Sequence, residues 1–242
     1  MSKKEVFLVG FVDIHTHLMF GVDDGSRDIK MTLKMLEVAI LDGTTDLFLT
    51  PHYRLYLSSN TPQITRPLFN DIKERAAHLP INLYLGNEMR VDSKSLSAIK
   101  EKNFNTLNDS DYLLIDYPFS LFVGDPVEKI LKVASIHPHM IVAHPERHSY
   151  TRSLSVIEDI KNKGILIQVN AGSILGSHGS ESEYFAHELL ENKLVDFVAS
   201  DGHNLTSRPP LLSDAYNIVL NQYGQEVADD LFKNNAKKLL ID

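Results

Sequence analysis

The sequence predicts an α/β barrel of parallel strands, and three observations lead there. Seven short apolar runs alternate with segments of helical periodicity. Strands that alternate with helices pair in parallel, through right-handed crossovers. Six titratable residues stand at, or just past, the ends of different runs: His15, His52, Glu88, Asp116, His144 and Asp201. An open doubly wound sheet fits the alternation equally well, but it spreads its strand ends along a line. A barrel gathers them around one mouth, where such enzymes carry their chemistry. The third observation is extent. A chain of 242 residues with no fixed-period repeat, low-complexity tract or linker reads as one domain over residues 1–242. Residues 1–11 form an N-terminal extension running into the first of seven strands.

The elements follow in order. Val6 to Val12 reads as a buried strand with His15 and His17 at its end. Residues two apart on a strand point to one side, so the two imidazoles can face one ion. Asp23 and Asp24 then sit in a turn bounded by Gly21 and Gly25. Asp28 to Leu41 has helical spacing at Ile29, Leu33, Leu36 and Ile40, with Ser26 or Asp28 as cap and Gly43 as stop. Leu47 to Thr50 is a strand leading to His52, residues 53–62 read as loop, and Pro62 to Leu79 as a helix interrupted near Pro67. Ile81 to Leu85 is a strand leading to Glu88, and Ser95 to Lys102 a short helix. Tyr112 to Asp116, Met140 to His144, Ile165 to Asn170 and Val195 to Asp201 are the remaining strands. Helices are expected over Pro126–Ile136, Ser153–Lys163, Glu183–Asn192 and most of Arg208–Asp242.

At 43% hydrophobic and 23% charged, the composition is that of an ordinary globular protein. A net charge of −8 argues against a duplex nucleic-acid surface. With no cysteine, disulfides, Cys-ligated zinc and thiolate nucleophiles are all excluded. Asp13 and His15 interrupt the first apolar run, so neither a signal peptide nor a membrane span is read, and a cytoplasmic location is expected.

The candidate ligands are His15, His17, Asp24, His52, Glu88, Asp116, His144, Asp201 and His203. This set of nitrogen and oxygen donors suits manganese, zinc or iron. Nine donors exceed the needs of one ion, so two or three ions with Glu88 as bridge are the natural reading. Closely spaced ions lower the pKa of a bound water and clamp a phosphoryl group. Each element has a plainer reading alone: Asp201-Gly202-His203 makes an Asx-turn, His144-Pro145-Glu146-Arg147 a turn with a surface ion pair, and Glu88 or Asp116 a solvated acid. Their joint occurrence at six strand ends carries the metal reading. His78, His137, His139, His148, His178 and His187 read as structural or solvated. Arg147 and Arg208 lie close to ligands, and a guanidinium fork fits phosphate oxygens. The plainer alternative is that each neutralises nearby acids. Tyr53, Arg54, Tyr56 and residues 117–122 follow two strand ends and read as a pocket wall, a lid or core packing.

Several motifs carry a resemblance. They are Asp-Ile-His-x-His at 13–17, the Asp-Asp-Gly turn at 23–25, Thr-x-His at 50–52 and Leu-Asn-Asp-Ser at 107–110. Ala-His-x-Glu-Arg at 143–147, Gln-Val-Asn at 168–170, Ala-Ser-Asp-x-His-Asn-Leu at 199–205 and Arg-Pro-Pro at 208–210 complete them. From about residue 12 onward the chain resembles the bacterial protein-tyrosine phosphatases of the polymerase and histidinol phosphatase (PHP) superfamily, which are encoded with capsular or exopolysaccharide genes. The resemblance implies a distorted TIM-like (β/α)7 barrel with three divalent ions, usually manganese. By position, one ion takes His15, His17, Glu88 and Asp201. A second takes Asp24, His52 and His203, and a third Glu88, Asp116 and His144. Asp116 stands where the family commonly has Glu, and Asp23 competes with Asp24, which its place in the motif favours. Arg147 and Arg208 match phosphate-binding, catalytic arginines. Arg54 is a further substrate-binding candidate, although residues 53–62 are less basic than in the family.

The expected activity is hydrolysis of protein phosphotyrosine. By resemblance the substrate is the tail of a membrane tyrosine autokinase that controls polysaccharide synthesis. A phosphatase of small monoesters such as histidinol phosphate is the nearest alternative. An amidohydrolase also opens with His-x-His but wants a bridging lysine, and a silent binding module would need no intact ligand set.

Overall fold

The computed structural model describes residues 10–55, 58–91, 93–116 and 126–240, with the side chains of 54, 55, 58, 93–95, 126 and 129 outside that description. Its strands are β1 (Phe11–Asp13), β2 (Thr44–Leu49), β3 (Arg54–Leu55), β4 (Ser58–Ser59), β5 (Asn82–Leu85), β6 (Glu88–Arg90), β7 (Leu113–Asp116), β8 (Met140–Ala143), β9 (Leu166–Asn170) and β10 (Phe197–Ala199). The helices are α1 (Ile29–Asp42), α2 (Pro62–Arg75), α3 (Ser93–Lys100), α4 (Pro126–Ala134), α5 (Leu154–Lys161), α6 (Ala171–Ile174), α7 (Ser180–Glu191), α8 (Ser213–Tyr223), α9 (Gln225–Asp229) and α10 (Asn235–Lys237).

β1, β2 and β5 pair in parallel, as do β10, β9, β8, β7 and β6 in that order. Backbone bonds beyond the strand ends join the two groups. On one side Asp201 N–H donates to His15 O (2.9 Å) and His17 N–H to Gly202 O (2.8 Å). On the other, Glu88 N–H donates to Pro51 O (3.1 Å) and Tyr53 N–H to Glu88 O (2.8 Å). These bonds close a ring of seven staves, one of which is split into β5 and β6. The expected parallel barrel is therefore present, in distorted form.

Period-two alternation places the core. Val12, Phe48, Leu114, Ile141, Phe197 and Ala199 share one buried cluster inside the ring, closed below by Leu107, Ala236 and Leu239. The intervening residues Leu113, Ile115, Met140, Val142, Ile167 and Val169 face the helical layer. Leu47, Leu49, Leu83 and Leu85 meet α1 and α2 in a further cluster. Asp28 caps α1 by accepting from Met31 N–H (2.9 Å), and Gly43 ends it at φ 108°, a backbone angle that suits glycine.

Several sequence expectations need correction. The first strand is described only from Phe11, and residues 6–9 lie outside the described residues. The segment 53–62 is not all loop: β3 and β4 form an antiparallel hairpin. Helix α2 runs unbroken through Pro67. Pro67 and Gln63 are both exposed, so the Gln63 carbonyl that Pro67 cannot serve is free to take water. The strand leading to Glu88 breaks at Gly86-Asn87. β5 pairs with β2, whereas Glu88 opens β6 and pairs with β7. Tyr56 and residues 117–122 lie outside the described residues, as does the side chain of Arg54.

Candidate metal centre

The mouth of the barrel is where the inward-facing positions turn polar. On β7 the step is Leu114 to Asp116, on β9 Leu166 to Gln168 and Asn170, and past β10 Ala199 to Asp201. His144 (φ 34°) and Asp201 (φ 53°) leave their strands in the left-handed region. Such backbone costs ~1–3 kcal/mol per residue and gathers at functional sites. Gly25 brings the Asp23–Asp24 turn against the first histidine pair: a Cβ there would lie 2.0 Å from His17 O.

All nine candidate ligands come together. His15 Nε2 and His17 Nε2 are 3.2 Å apart. Glu88 Oε2 lies 3.5 and 3.3 Å from them, and Asp201 Oδ1 3.6 and 3.4 Å. Ligand atoms bound tetrahedrally at about 2.1 Å from an ion stand about 3.4 Å apart. Asp24 Oδ1 faces His52 Nε2 (3.4 Å) and His203 Nε2 (3.5 Å), and these three gather with His17 as a second group. Glu88 spans the groups. Its Oε2 is also 2.6 Å from His52 Nδ1, at an angle that makes no hydrogen bond, and its Oε1 is 3.0 Å from His144 Nε2.

The fit to metal ions rests on unmatched buried atoms. Glu88 Oε2, Asp201 Oδ1, His144 Nδ1 and His203 Nε2 are buried and make no hydrogen bond. Leaving such atoms unserved is costly, and cations held in the separate donor groups would serve them.

A second layer aims the ligands. Asp201 Oδ2 accepts from Asn170 Nδ2 (2.7 Å), Arg208 Nη2 (2.7 Å) and Arg147 Nη1 (3.0 Å), leaving Oδ1 toward the histidines. Because the carboxylate only accepts, Asn170 must donate to it. Asn170 Oδ1 therefore accepts from Gln168 Nε2 (2.8 Å), and Gln168 Oε1 from His15 Nδ1 (2.9 Å). One carboxylate thus sets the tautomer of His15 and leaves its Nε2 lone pair facing the cluster. His17 Nδ1 likewise donates to Asp23 Oδ2 (2.7 Å), and His203 Nδ1 to Asp201 O (2.8 Å). Asp23 is an orienting group in this geometry, with a fully buried side chain, whereas that of half-exposed Asp24 faces two histidines.

Electrostatics follow. Burial alone would push Glu88 and Asp201 up, but the surrounding histidines, with Arg208 at Asp201, hold both carboxyls well below their usual range. Burial would lower His52, yet Glu88 and Asp24 together outweigh it and raise it to about 9. Burial dominates at His148 and His203, pushing both down toward the neutral form that ligates.

Asp24, His52, Glu88, Asp116, His144, Asp201 and His203 line a cavity of about 200 Å³ with Arg90, Arg147 and Arg208. The two expected arginines reach the cavity and also pair with Asp201, so the neutralising and substrate-facing readings coexist. Sequence reasoning missed Arg90, whose Nη2 is 3.5 Å from Asp116 Oδ2. It lies two residues past Glu88 on β6, and that spacing was its only signal. Gln168, Asn170 and Asp23 were visible within motifs but not as a second layer. His148 was expected to be structural or solvated; it is buried at the mouth, with Nε2 3.1 Å from Asp116 Oδ1. Neither His148 nor the five other histidines of that group line the cavity itself.

Comparison with known proteins places this geometry. The family model for capsular polysaccharide synthesis, CpsB/CapC, matches residues 11–241. The chain belongs to this family. It is 33% identical over 239 residues to the tyrosine-protein phosphatase CpsB of Streptococcus agalactiae, covering 95% of this chain and 98% of that one. It is 31% identical over 235 residues to the putative tyrosine-protein phosphatase CapC of Staphylococcus aureus, covering 96% and 91%. Among solved structures it superposes with a TM-score of 0.86 and 27% identity on a chain from the crystal structures of YwqE from Bacillus subtilis and CpsB from Streptococcus pneumoniae, described as unique metal-dependent tyrosine phosphatases; 95% and 94% of the two chains are covered. A phosphotriesterase homology protein from Escherichia coli shares the fold alone, at a TM-score of 0.65 and 11% identity.

Proposed function

We propose that this protein is a metal-dependent protein-tyrosine phosphatase of the CpsB/CapC family, with residues 1–242 as one domain. The observation that carries the reading is the convergence of nine oxygen and nitrogen donor residues at the barrel mouth, seven of them lining one small cavity with three arginines. The names of the relatives support the substrate class. In this reading three ions, manganese before iron or zinc, are held by His15, His17, Asp24, His52, Glu88, Asp116, His144, Asp201 and His203. When bound, the ions supply an activated water and neutralise charge on the phosphoryl group.

The chain's own residues do the rest. Arg147 and Arg208, steadied by Asp201, hold the non-bridging phosphate oxygens, and Arg90 adds a third cation at the rim. Arg54, two residues past His52 in the sequence, is the proposed further substrate-binding residue. The tyrosine leaving group has a pKa near ~10, so it departs with less proton assistance than an alkoxide needs. The chain has no cysteine, so no thiolate step enters. The proposed substrate is the phosphotyrosine tail of a membrane autokinase governing capsule or exopolysaccharide synthesis, met in the cytoplasm at the inner membrane face. Among the described residues no helix is long and apolar enough to cross a membrane.

The test is phosphate release from a phosphotyrosine peptide and from histidinol phosphate, with each metal in turn, beside Arg208→Ala. Manganese-dependent release from the peptide, reduced at least tenfold in the variant, is expected. Preference for the small ester would overturn the substrate, and activity indifferent to chelator would overturn the metal centre.

A further inference from the structure

We propose that His148 is a metal ligand, completing the third ion's site together with Asp116 and His144. This rests on reading the mouth as a metal centre and changes which residues serve its third ion. His148 Nε2 lies 3.1 Å from Asp116 Oδ1, and His144 Nδ1 lies 3.8 Å from the same oxygen. A ligand atom from each of the three residues falls within 4.8 Å of the others. The three residues are 1–2% exposed. Two donors on an ion at about 2.1 Å stand about 3.0 Å apart at a right angle and about 3.4 Å apart tetrahedrally. The shorter separation already fits, and the longer closes with a small turn of the His144 ring.

The unmatched atom is His144 Nδ1, which is buried and makes no hydrogen bond. In the neutral ring the proton sits on Nε2, where Glu88 Oε1 accepts it at 3.0 Å. That leaves the Nδ1 lone pair facing an Asp116 oxygen that also carries only lone pairs. A cation between them satisfies both, and His148 is the third donor at that point. Glu88 then orients His144 from behind, while its other oxygen serves the central group.

Local structure presents the pair together. His144 starts a single 3-10 turn, Pro145–Arg147, which places His148 four residues on with its ring 5.6 Å from that of His144. Thr151 Oγ1 shares its one proton between Pro145 O (2.5 Å) and His148 O (2.9 Å), pinning the turn. Tyr150 stacks on the His148 ring at 5.4 Å. The plainer possibility is a hydrogen bond from His148 to Asp116 and nothing more, and the variants below separate the two.

Metal-stripped wild type, His148→Ala and His148→Gln are dialysed against graded manganese chloride, and bound metal is counted by mass spectrometry. The metal-free melting temperature of each checks the fold. Three ions per wild-type chain are expected, with the weakest site at least tenfold weaker in His148→Ala. His148→Gln keeps a donor for Asp116 but is a poor ligand, so it should behave like His148→Ala. An unchanged count and affinity in His148→Ala, or full recovery in His148→Gln, overturns the proposal. If the variants do not fold, cadmium-loaded wild type with nitrogen-labelled histidine decides: metal coupling at His148 Nε2 supports ligation and its absence overturns it. The counts need no substrate. Three ions without phosphotyrosine turnover would sink the phosphatase reading alone, and turnover with unchanged counts would sink this one alone.

Discussion

The two ends of the barrel interior are built by the same strands and have opposite characters. At the base, Val12, Phe48, Leu114, Ile141 and Phe197 form a dry cluster sealed by Ala236 and Leu239. At the mouth, one inward step further along, stand Asp116, Gln168 and Asp201. The base gains stability from apolar burial. The mouth buries charge, holds two residues in left-handed backbone and leaves polar atoms unmatched. Two residues of strand separate a position that stabilises the fold from one that costs it.

The largest test of that contrast is Asp201→Ala. Phosphotyrosine turnover should fall about a thousandfold or more, as when a principal electrostatic group is lost. The metal-free melting temperature should hold or rise. A clear drop in melting temperature would mean that the mouth, too, stabilises the fold. At the base, Leu114→Ala should cost ~2–5 kcal/mol of unfolding free energy. Turnover per folded molecule should stay within about threefold, and a specific loss of activity would blur the division.

Asp13 sits on the border. It is fully buried, its Oδ1 accepts from Ser200 N–H (3.0 Å), and its Oδ2 has no partner. Burial raises its pKa to about 6. The folded value exceeds the unfolded one, so its contribution is complete below pH 3.8 and is lost as pH rises through 6. Asp13→Asn should therefore gain on wild type by about 3 kcal/mol between pH 4 and 7.5 in urea unfolding. A difference flat with pH would refute the buried charge. The smallest effect belongs to the second layer. Asn170→Leu removes the group that fixes Gln168 and hence His15, and should weaken manganese binding about 10–100-fold. Unchanged binding would show that His15 needs no help to present Nε2.

Much of this was legible in the sequence because it depends on local period and residue type. The seven staves, the caps of α1 and the nine candidate ligands gathered at the mouth follow from runs of apolar residues ending in donors. What escaped depends on partners distant in sequence. The split at Gly86-Asn87 is invisible until β5 and β6 choose different neighbours. Arg90 lies on a three-residue strand too short to show a period. His148 hides because a 3-10 turn, not a strand, returns it to the mouth. Pro67 misled because whether a proline breaks a helix depends on which face meets water.

Closure of the ring by His17 N–H on Gly202 O has a consequence for synthesis. The paired histidines leave the ribosome early, whereas Asp201 appears only after about five-sixths of the chain. At ordinary elongation rates that gap is roughly ten to forty seconds. Throughout it, His15 and His17 lack their carboxylate partner, and an ion that meets them is held by an incomplete set. In the proposed metal centre the full ligand set of that ion therefore exists only once the last stave docks.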